Sequence, residues 1–215
     1  MRNKITFNTF ISEFRNVPII TTTDIQKVFP KLAQDSTHLW NKKKYLLRIG
    51  KGIYFNSYFF KETLNQEMLF LIANKAYSPS YVSLESALNY YGLIPEAVIN
   101  ITSISTKKTK IVKHDLGLFL YKSIKPSLMF GYELIKKDTF FYKIATVEKA
   151  VIDFLYLNPN LNSFEDFEGV RINSEYFDEI IDRDKLLKIT TKIDSKSLNM
   201  RVLKLIKFID YDKSN

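Results

Sequence analysis

The segment between residues 7 and 55 constrains the fold most, because its apolar spacing changes from a helical to a strand-like period. Phe7, Phe10, Ile11 and Phe14 fall at i, i+3, i+4 and i+7, which is the apolar face of a first helix. Pro18 lies in the break that follows. The chain is therefore expected to begin with an amphipathic helix that stops before residue 18.

Two further short helices are predicted before the spacing changes. Thr23 is expected to cap the second helix, and Pro30 disfavours helical geometry at the residue before it, which ends that helix. The third helix is expected to start at Ser36 and to run to about Lys44. The side chains predicted to face the core are Ile25, Val28 and Phe29 in the second helix, and Leu39 or Trp40 in the third.

A β-hairpin is predicted next. Residues 46–49 and 53–55 are two β-prone runs on either side of Gly50, Lys51 and Gly52. Three helices followed by a hairpin with a basic tip predict a winged helix-turn-helix at residues 1–60. In that arrangement the third helix enters the major groove of DNA and the hairpin tip lies along the phosphates.

The net charge is concentrated in the same segment. Residues 1–60 contain ten Lys or Arg and three acidic residues, whereas the other 155 residues contain 22 basic and 20 acidic ones. A basic module joined to a nearly neutral body predicts a nucleic-acid-binding domain at 1–60 and a second domain at 61–215 with another task. The predicted DNA-binding residues are Thr37, Asn41, Lys42, Lys43, Lys44, Arg48 and Lys51.

Each of these assignments has a plainer alternative. Lys42, Lys43 and Lys44 also fit a solvated helix end, where the helix dipole favours positive charge. Trp40 fits the core better than base stacking. His38 is interpreted as structural or solvent-exposed, because no second His or Cys lies nearby to share a metal.

The body reads as a mixture of helices and strands, so the fold class is predicted to be α+β. The winged helix-turn-helix is expected to be followed by a domain of helices and an antiparallel sheet, with a helical C-terminal tail. Helices are expected at 62–76, after a Ser83 cap, after a Thr146 cap, and at 198–209. Gly92 suits the left-handed position that ends the second of these. The expected strands are 98–105, 118–124, 129–136 and 139–145. The last helix is expected to carry an exposed basic face of Arg201, Lys204 and Lys207.

Catalytic patterns are weak throughout the body. The chain has no Cys, no Gly-rich phosphate loop and no Gly-Ser dipeptide, and its two His residues lie in different predicted domains. Asp182 and Asp184 are better read as helix-cap and surface residues than as metal ligands, and Glu148 and Asp153 are expected to diverge on one helix. The sequence therefore predicts a protein that is not an enzyme and that has no cofactor and no metal site.

The surroundings of the protein are inferred from composition. A chain without Cys fits a reducing compartment. The sequence shows no charged-then-apolar leader and no run of about 18 apolar residues. A cytoplasmic protein without membrane contact is therefore expected.

Residues 81–96 read YVSLESALNYYGLIPE. This stretch resembles the AbiEi family, the antitoxin and transcriptional-regulator components of the AbiE abortive-infection (type IV) toxin–antitoxin systems. Residues 47–54, LRIGKGIY, resemble the family's wing, and residues 144–153, IATVEKAVID, resemble its later helix. The resemblance covers about residues 5–157, and the tail from about residue 160 matches nothing recognised.

The resemblance implies an N-terminal winged helix that represses the protein's own operon, and a C-terminal domain that counters a nucleotidyltransferase-like toxin. The implied partners are double-stranded DNA of the protein's own promoter, with inverted repeats, and a cognate toxin whose direct contact is left open. Two alternatives stay open. One is a plain transcriptional regulator whose body senses a ligand or dimerises, and the other is a nuclease or nucleotidyl-transfer accessory enzyme.

Overall fold

The computed structural model describes residues 5–32, 34–95 and 100–214, and confirms the α+β class. The predicted strand residues 98–99, Glu96 at the end of the stretch 81–96, and Arg2 and Lys4 lie outside the described residues. The helices are α1 (Phe7–Glu13), α2 (Thr22–Val28), α3 (Gln34–Lys42), α4 (Ser57–Phe60), α5 (Gln66–Ala76), α6 (Glu85–Tyr90), α7 (Val147–Leu157), α8 (Phe164–Val170), α9 (Ser174–Ile180), α10 (Arg183–Ile193) and α11 (Lys196–Asp212). The strands are β1 (Ile19–Thr21), β2 (Leu47–Gly50), β3 (Ile53–Phe55), β4 (Ser80–Val82), β5 (Ile101–Ser105), β6 (Lys110–His114), β7 (Gly117–Ser123), β8 (Tyr132–Lys137) and β9 (Phe140–Ala145).

The chain divides into two compact units. The first unit contains Met1–Ser78 together with Ile135–Tyr142, and the second contains Pro79–Leu134 and Lys143–Asn215. The first unit therefore extends beyond residue 60, where the sequence places the end of the DNA-binding domain. Whether the binding task ends at residue 60 stays a prediction.

The first unit contains α1 to α5 and a three-stranded antiparallel sheet with strand order β1-β3-β2. The first helix and both hairpin strands lie where the sequence predicts them, whereas β1 was not predicted. An aromatic core fills the unit, and the Phe10 and Trp40 ring centroids are 4.4 Å apart. Asn56 is fully buried beside this core and donates to the carbonyl oxygens of Phe14 and Val17, at 2.9 and 3.2 Å.

Two predicted helix boundaries in this unit are wrong. Thr21, not Thr23, caps α2, because its hydroxyl and the Asp24 carboxylate form a reciprocal capping box. Helix α3 begins at Gln34 and ends at Lys42, so it lies two residues nearer the N-terminus than predicted. Of the two candidates to face inward from α3, Trp40 is the buried one at 5% exposure, and Leu39 is 47% exposed.

The fifth helix completes the first unit. Asn65 caps α5 by accepting from the Met68 N–H at 2.9 Å, and α5 packs against β2 and β3. Residues 135–142 join the same unit, where Lys137 pairs with Glu67 at 3.6 Å and the Tyr142 ring lies 5.6 Å from Phe70. The first unit is thus built from two separate stretches of the chain.

The prediction of an antiparallel sheet is wrong, because the six-stranded sheet is mixed and has the order β6-β7-β5-β4-β9-β8. Strands β4 and β5 are antiparallel, β5 and β7 are parallel, and β6 and β7 form an antiparallel hairpin. Strand β4 pairs in parallel with β9, with Val82 opposite Ile144. Strands β4 and β6 were not predicted, because each is short and lacks a clear two-residue alternation.

In the second unit, α7 contacts α6, α10 and α11, and α11 also contacts α8 and α9. Thr146 caps α7 as predicted, and Gly92 follows α6 with a φ of +73°. The predicted exposed basic face of the last helix is wrong at one position, because Arg201 is only 7% exposed and donates to Ser197 Oγ at 3.1 Å.

A buried polar network joins β4 to α7 in the second unit. The Asp153 carboxylate accepts from Tyr81 Oη at 2.8 Å and from Ser83 Oγ at 2.9 Å. Lys149 donates to the same carboxylate and, at 2.9 Å, to Tyr81 Oη. We call these four residues the buried tetrad.

The prediction that Ser83 caps α6 is wrong, because the Ser83 side chain belongs to the buried tetrad. The helix begins after Leu84, whose φ of 57° and ψ of −141° are rare for a residue with a side chain. The Ser83 hydroxyl instead bonds Asp153, 70 residues further along the chain. A local capping signal was therefore overridden by a tertiary hydrogen bond.

We expect Asp153→Ala to lower the free energy of unfolding by about 3–5 kcal/mol, because it leaves the buried Lys149 ammonium without its counter-charge. The matched control is Asp178→Ala, which breaks partly exposed ion pairs with Arg183 and Lys213. That change should cost about 1 kcal/mol or less. Urea denaturation of both variants measures the difference, and equal losses would contradict a dominant role for the tetrad.

Candidate nucleic-acid interface

A groove of about 730 Å³ lies within the first unit, between α3 and the β2–β3 hairpin. One wall is the helix and the other is the hairpin, with the start of α2 at one end. The groove is lined by Thr22, Asp35, Thr37, His38, Asn41, Arg48, Lys51, Gly52 and Tyr54. Hydroxyl, carboxamide, imidazole and cationic groups therefore converge on one concave surface, and such groups suit hydrogen bonding to base edges and phosphates.

Four of the seven predicted DNA-binding residues line this groove. Thr37 and Asn41 come from α3, and Arg48 and Lys51 come from the hairpin. Lys42, Lys43 and Lys44 do not line it, but all three are exposed at the C-terminal end of α3. The structure thus brings helix and hairpin residues together and leaves the lysine run on the adjoining surface.

The hairpin tip is fastened to the start of α2. The Thr22 N–H donates to the Gly52 carbonyl oxygen at 2.8 Å. Gly52 has a φ of +68°, and a Cβ at this position would lie 2.7 Å from Thr22 Oγ1. Only glycine fits both the backbone conformation and the close approach, so this contact fixes where Lys51 is presented.

Thr22 is itself held by the capping box that starts α2. The hydrogen bond from the Thr21 hydroxyl to Asp24, at 2.6 Å, lowers the pKa of the Asp24 carboxyl, and the Thr21 backbone N–H contributes as well. The carboxylate is therefore ionised at neutral pH and sits in the first turn, where the helix dipole favours a negative charge. A stable start for α2 supports the anchored hairpin tip.

Arg48 lies opposite Tyr54 in the hairpin. Its Nε donates to the Gly50 carbonyl oxygen at 3.2 Å, which directs the side chain along the strand toward the turn. The backbone N–H of Arg48 donates to Asn41 Oδ1 at 2.9 Å. Helix α3 and the hairpin are thus joined at the wall of the groove by a hydrogen bond.

The lysine run contains one residue with a backbone role. Lys44 follows α3 with a φ of 58°, in the left-handed region that ends many helices. Its carbonyl oxygen accepts from Ser57 Oγ at 2.5 Å. Lys43 has an ordinary backbone, and its ammonium lies 6.0 Å from the centroid of the Tyr45 ring.

Sequence reasoning missed several residues of the groove. Asp35 and His38 lie on the same face of α3 as Asn41, so a helical wheel extended from Asn41 would have found His38 at i−3. His38 is solvent-exposed, which agrees with one of its two predicted environments. The hairpin register pairs Tyr54 with Arg48, so it could have assigned Tyr54 to the groove. Thr22 comes next to the groove only in the tertiary fold, and no local pattern indicates this.

The second unit also carries positive charge that the overall count conceals. Residues 107–125 contain six lysines and one acidic residue. The β6–β7 register, with Lys110 opposite Tyr121, brings residues 107–110 beside residues 122–125 at one end of the hairpin. The lysines of this cluster, Lys107, Lys108, Lys110, Lys122 and Lys125, are exposed, and Lys113 lies further along β6.

The buried tetrad combines a hydroxyl, a phenol, an ammonium and a carboxylate, which is a composition found in active sites. Burial raises the pKa of Asp153 and lowers the pKa of Lys149, and each charge opposes the effect on the other. Burial also raises the pKa of Tyr81. Lys149 is 0% exposed and Asp153 is 2% exposed, so these groups bond one another and not a solute.

The remaining acidic candidates have structural partners. Glu148 pairs with Lys185 at 2.9 Å, whereas Asp153 bonds within the tetrad, so the two carboxylates have separate partners, as expected for side chains that diverge on one helix. Asp182 caps α10 by accepting from the Lys185 N–H at 2.9 Å. Among residues 5–32, 34–95 and 100–214, no group of three His, Asp or Glu side chains is placed to hold a metal ion. Within those same ranges, none of the helices combines the length and apolar character that crossing a bilayer requires.

We expect Lys44→Gly to raise the free energy of unfolding by about 0.5–1 kcal/mol, because relief of the left-handed strain exceeds the entropy cost of glycine. Lys43→Gly removes the same charge from the preceding residue, where the backbone is ordinary. It should lower the free energy of unfolding by up to about 1 kcal/mol. Thermal and urea denaturation distinguish the two, and a loss of stability in both variants would be inconsistent with strain at Lys44.

Comparison with known proteins found no match to this chain, either among models of protein families or among curated protein sequences.

Proposed function

We propose that this protein is a DNA-binding transcriptional repressor of its own operon and an antitoxin that counters a nucleotidyltransferase-like toxin, acting in the cytoplasm and without catalysis. The observation that carries the DNA-binding part is the groove of the first unit, where Thr37 and Asn41 of α3 face Arg48 and Lys51 of the hairpin. Double-stranded DNA of the protein's own promoter is the proposed ligand.

The order of elements supports this proposal. Helix α1, strand β1, helices α2 and α3 and the β2–β3 hairpin follow one another as they do in a winged helix-turn-helix, with strand order β1-β3-β2. In that arrangement α3 reads base edges and the hairpin contacts the backbone. The charge of residues 1–60, ten basic against three acidic residues, fits attraction to phosphates.

The antitoxin part rests on the resemblance of residues 81–96 and 144–153 to the AbiEi family. Within these stretches, Tyr81, Ser83, Lys149 and Asp153 bond one another in the buried tetrad. The motif residues therefore stabilise the second unit, and its surface is left for the antitoxin task. A buried and internally bonded tetrad supports a role without catalysis.

We expect Arg48→Ala and Lys51→Ala to weaken binding to operator and to random duplex DNA by similar factors, because phosphate contacts carry no sequence information. Each phosphate contact that is lost should flatten the dependence of log K on log salt by about 0.9. Fluorescence anisotropy at several salt concentrations measures both quantities. The triple change of Lys42, Lys43 and Lys44 to Ala should weaken binding further.

The charge-matched control is the triple change of Lys188, Lys196 and Lys207 to Ala, which removes three exposed charges from the second unit. This control should retain most of the affinity. Equal weakening by the two triple variants would show that net charge, and not the first unit, determines binding. Loss of sequence preference in Lys51→Ala with unchanged affinity for random DNA would reverse the roles of helix and hairpin.

Repression and protection should be separable. The triple Lys42, Lys43 and Lys44 variant should lose promoter repression, because it loses phosphate contacts, and should still protect cells that express the cognate toxin. Colony survival and a promoter–reporter signal in the same cells give both readouts, with protein abundance checked by immunoblot.

Two outcomes would contradict the proposal. Loss of protection at normal abundance would mean that the basic surface also serves neutralisation. Absence of protection by the unaltered chain against a toxin encoded beside it would remove the antitoxin part and leave a transcriptional regulator.

A further inference from the structure

Asn41 is engaged inside the protein before any DNA is bound. Its side-chain Oδ1 accepts the backbone N–H of Arg48 at 2.9 Å, across seven residues of chain. The donor is an N–H group, so only the oxygen of the carboxamide can accept, and the orientation of the amide is therefore fixed. Helix α3 and strand β2 are held together at the wall of the groove by this bond.

The bond satisfies a specific need of the hairpin. Strand β2 is at the edge of the three-stranded sheet, where β3 is its one strand neighbour among the residues that the structure describes. An edge strand presents backbone groups that lack a neighbouring strand. Asn41 provides an acceptor for one such group, so its side chain replaces a strand neighbour and sets the separation between α3 and the hairpin.

This engagement competes with two-bond base reading by Asn41, because it directs one lone pair of the carboxamide oxygen at the hairpin backbone. An asparagine that recognises adenine uses its carboxamide oxygen and nitrogen together, on N6 and N7 of the base. Here the oxygen is already directed at the hairpin backbone. Thr37 and His38 line the same groove about one turn nearer the start of α3, and His38 is solvent-exposed.

We infer that Asn41 is a positioning residue that fixes the hairpin relative to α3, and that Thr37 and His38 carry the sequence preference. The inference rests on the proposed DNA-binding function and refines it. Together with the Thr22–Gly52 contact at the tip, the Asn41–Arg48 bond holds the hairpin at two points. The groove is thus preformed, and Lys51 and Arg48 are placed before DNA arrives.

The test compares Asn41→Ala, Asn41→Asp, Thr37→Ala and His38→Ala in the full chain. The control is Leu39→Ala, an exposed residue of α3 outside the groove lining. Amide hydrogen exchange at Arg48, followed by NMR in the free protein, reports on the bond. Affinities for an operator obtained by selection from random duplexes, for all its single-base variants and for random duplex DNA report on preference.

Asn41→Ala should speed exchange at Arg48 at least tenfold and weaken all duplexes by a similar factor, so that the ratios between them stay the same. Asn41→Asp retains an oxygen acceptor, so exchange should stay slow, while the added negative charge weakens all duplexes alike. His38→Ala and Thr37→Ala should reduce discrimination at one or two base positions about tenfold, with Arg48 exchange unchanged. Leu39→Ala should change none of these quantities.

The inference is overturned if Asn41→Ala abolishes preference at a single base pair while Arg48 exchange stays slow, because Asn41 would then read that base. It is equally overturned if His38→Ala and Thr37→Ala leave every preference intact. Failure of the proposed function looks different. In that case the unaltered protein binds no duplex selectively. The roles assigned to Thr37 and His38 are then wrong as well, even if the exchange measurement confirms the Asn41–Arg48 hydrogen bond.

Discussion

The second unit depends on a buried ion pair between Lys149 and Asp153, held in place by Tyr81 and Ser83. Two charges are removed from water at this point, which is costly unless every hydrogen-bonding group finds a partner. Asp153 satisfies that requirement by accepting from three side chains, two of which are Tyr81 in β4 and Ser83 just after it. The pair therefore stabilises one arrangement of β4 on α7, and the alternative arrangements leave a buried charge unpartnered.

The backbone next to the tetrad is strained at one residue. Leu84 adopts a φ of 57° because Ser83 turns inward to Asp153 while α6 starts in another direction. Thr102 holds the chain on both sides of this turn, since its hydroxyl donates to the Ser83 carbonyl oxygen at 2.7 Å and accepts from the Ser86 N–H at 3.0 Å. Strain of this kind persists only where the surroundings determine the conformation. The conformation of residues 81–86 is thus explained by their packing.

Local signals allowed the sequence to predict much of the fold but not the contacts between distant residues. The apolar periodicity of α1, the Thr146 cap and the Gly-Lys-Gly hairpin are encoded within a few residues, and they lie where they were expected. Ser83 and Arg201 were misplaced because their partners or their burial depend on the tertiary structure. The sequence identified four residues that line the groove from their charge and position: Thr37, Asn41, Arg48 and Lys51. The contribution of Thr22 and the Asn41–Arg48 hydrogen bond are visible only in the tertiary structure. Whether the groove binds DNA remains a prediction.

The composition of the first unit has a consequence for synthesis of the chain. Its last part, residues 135–142, is separated from residue 78 by more than fifty residues that belong to the second unit. During translation the N-terminal stretch leaves the ribosome long before Tyr142 reaches Phe70 or Lys137 reaches Glu67. The nascent chain must therefore hold an incomplete first unit while the strands of the second are still being made. Ribosome pausing or truncation before residue 142 would expose the surface of α5 that these residues cover, and would give a target for proteolysis or chaperones.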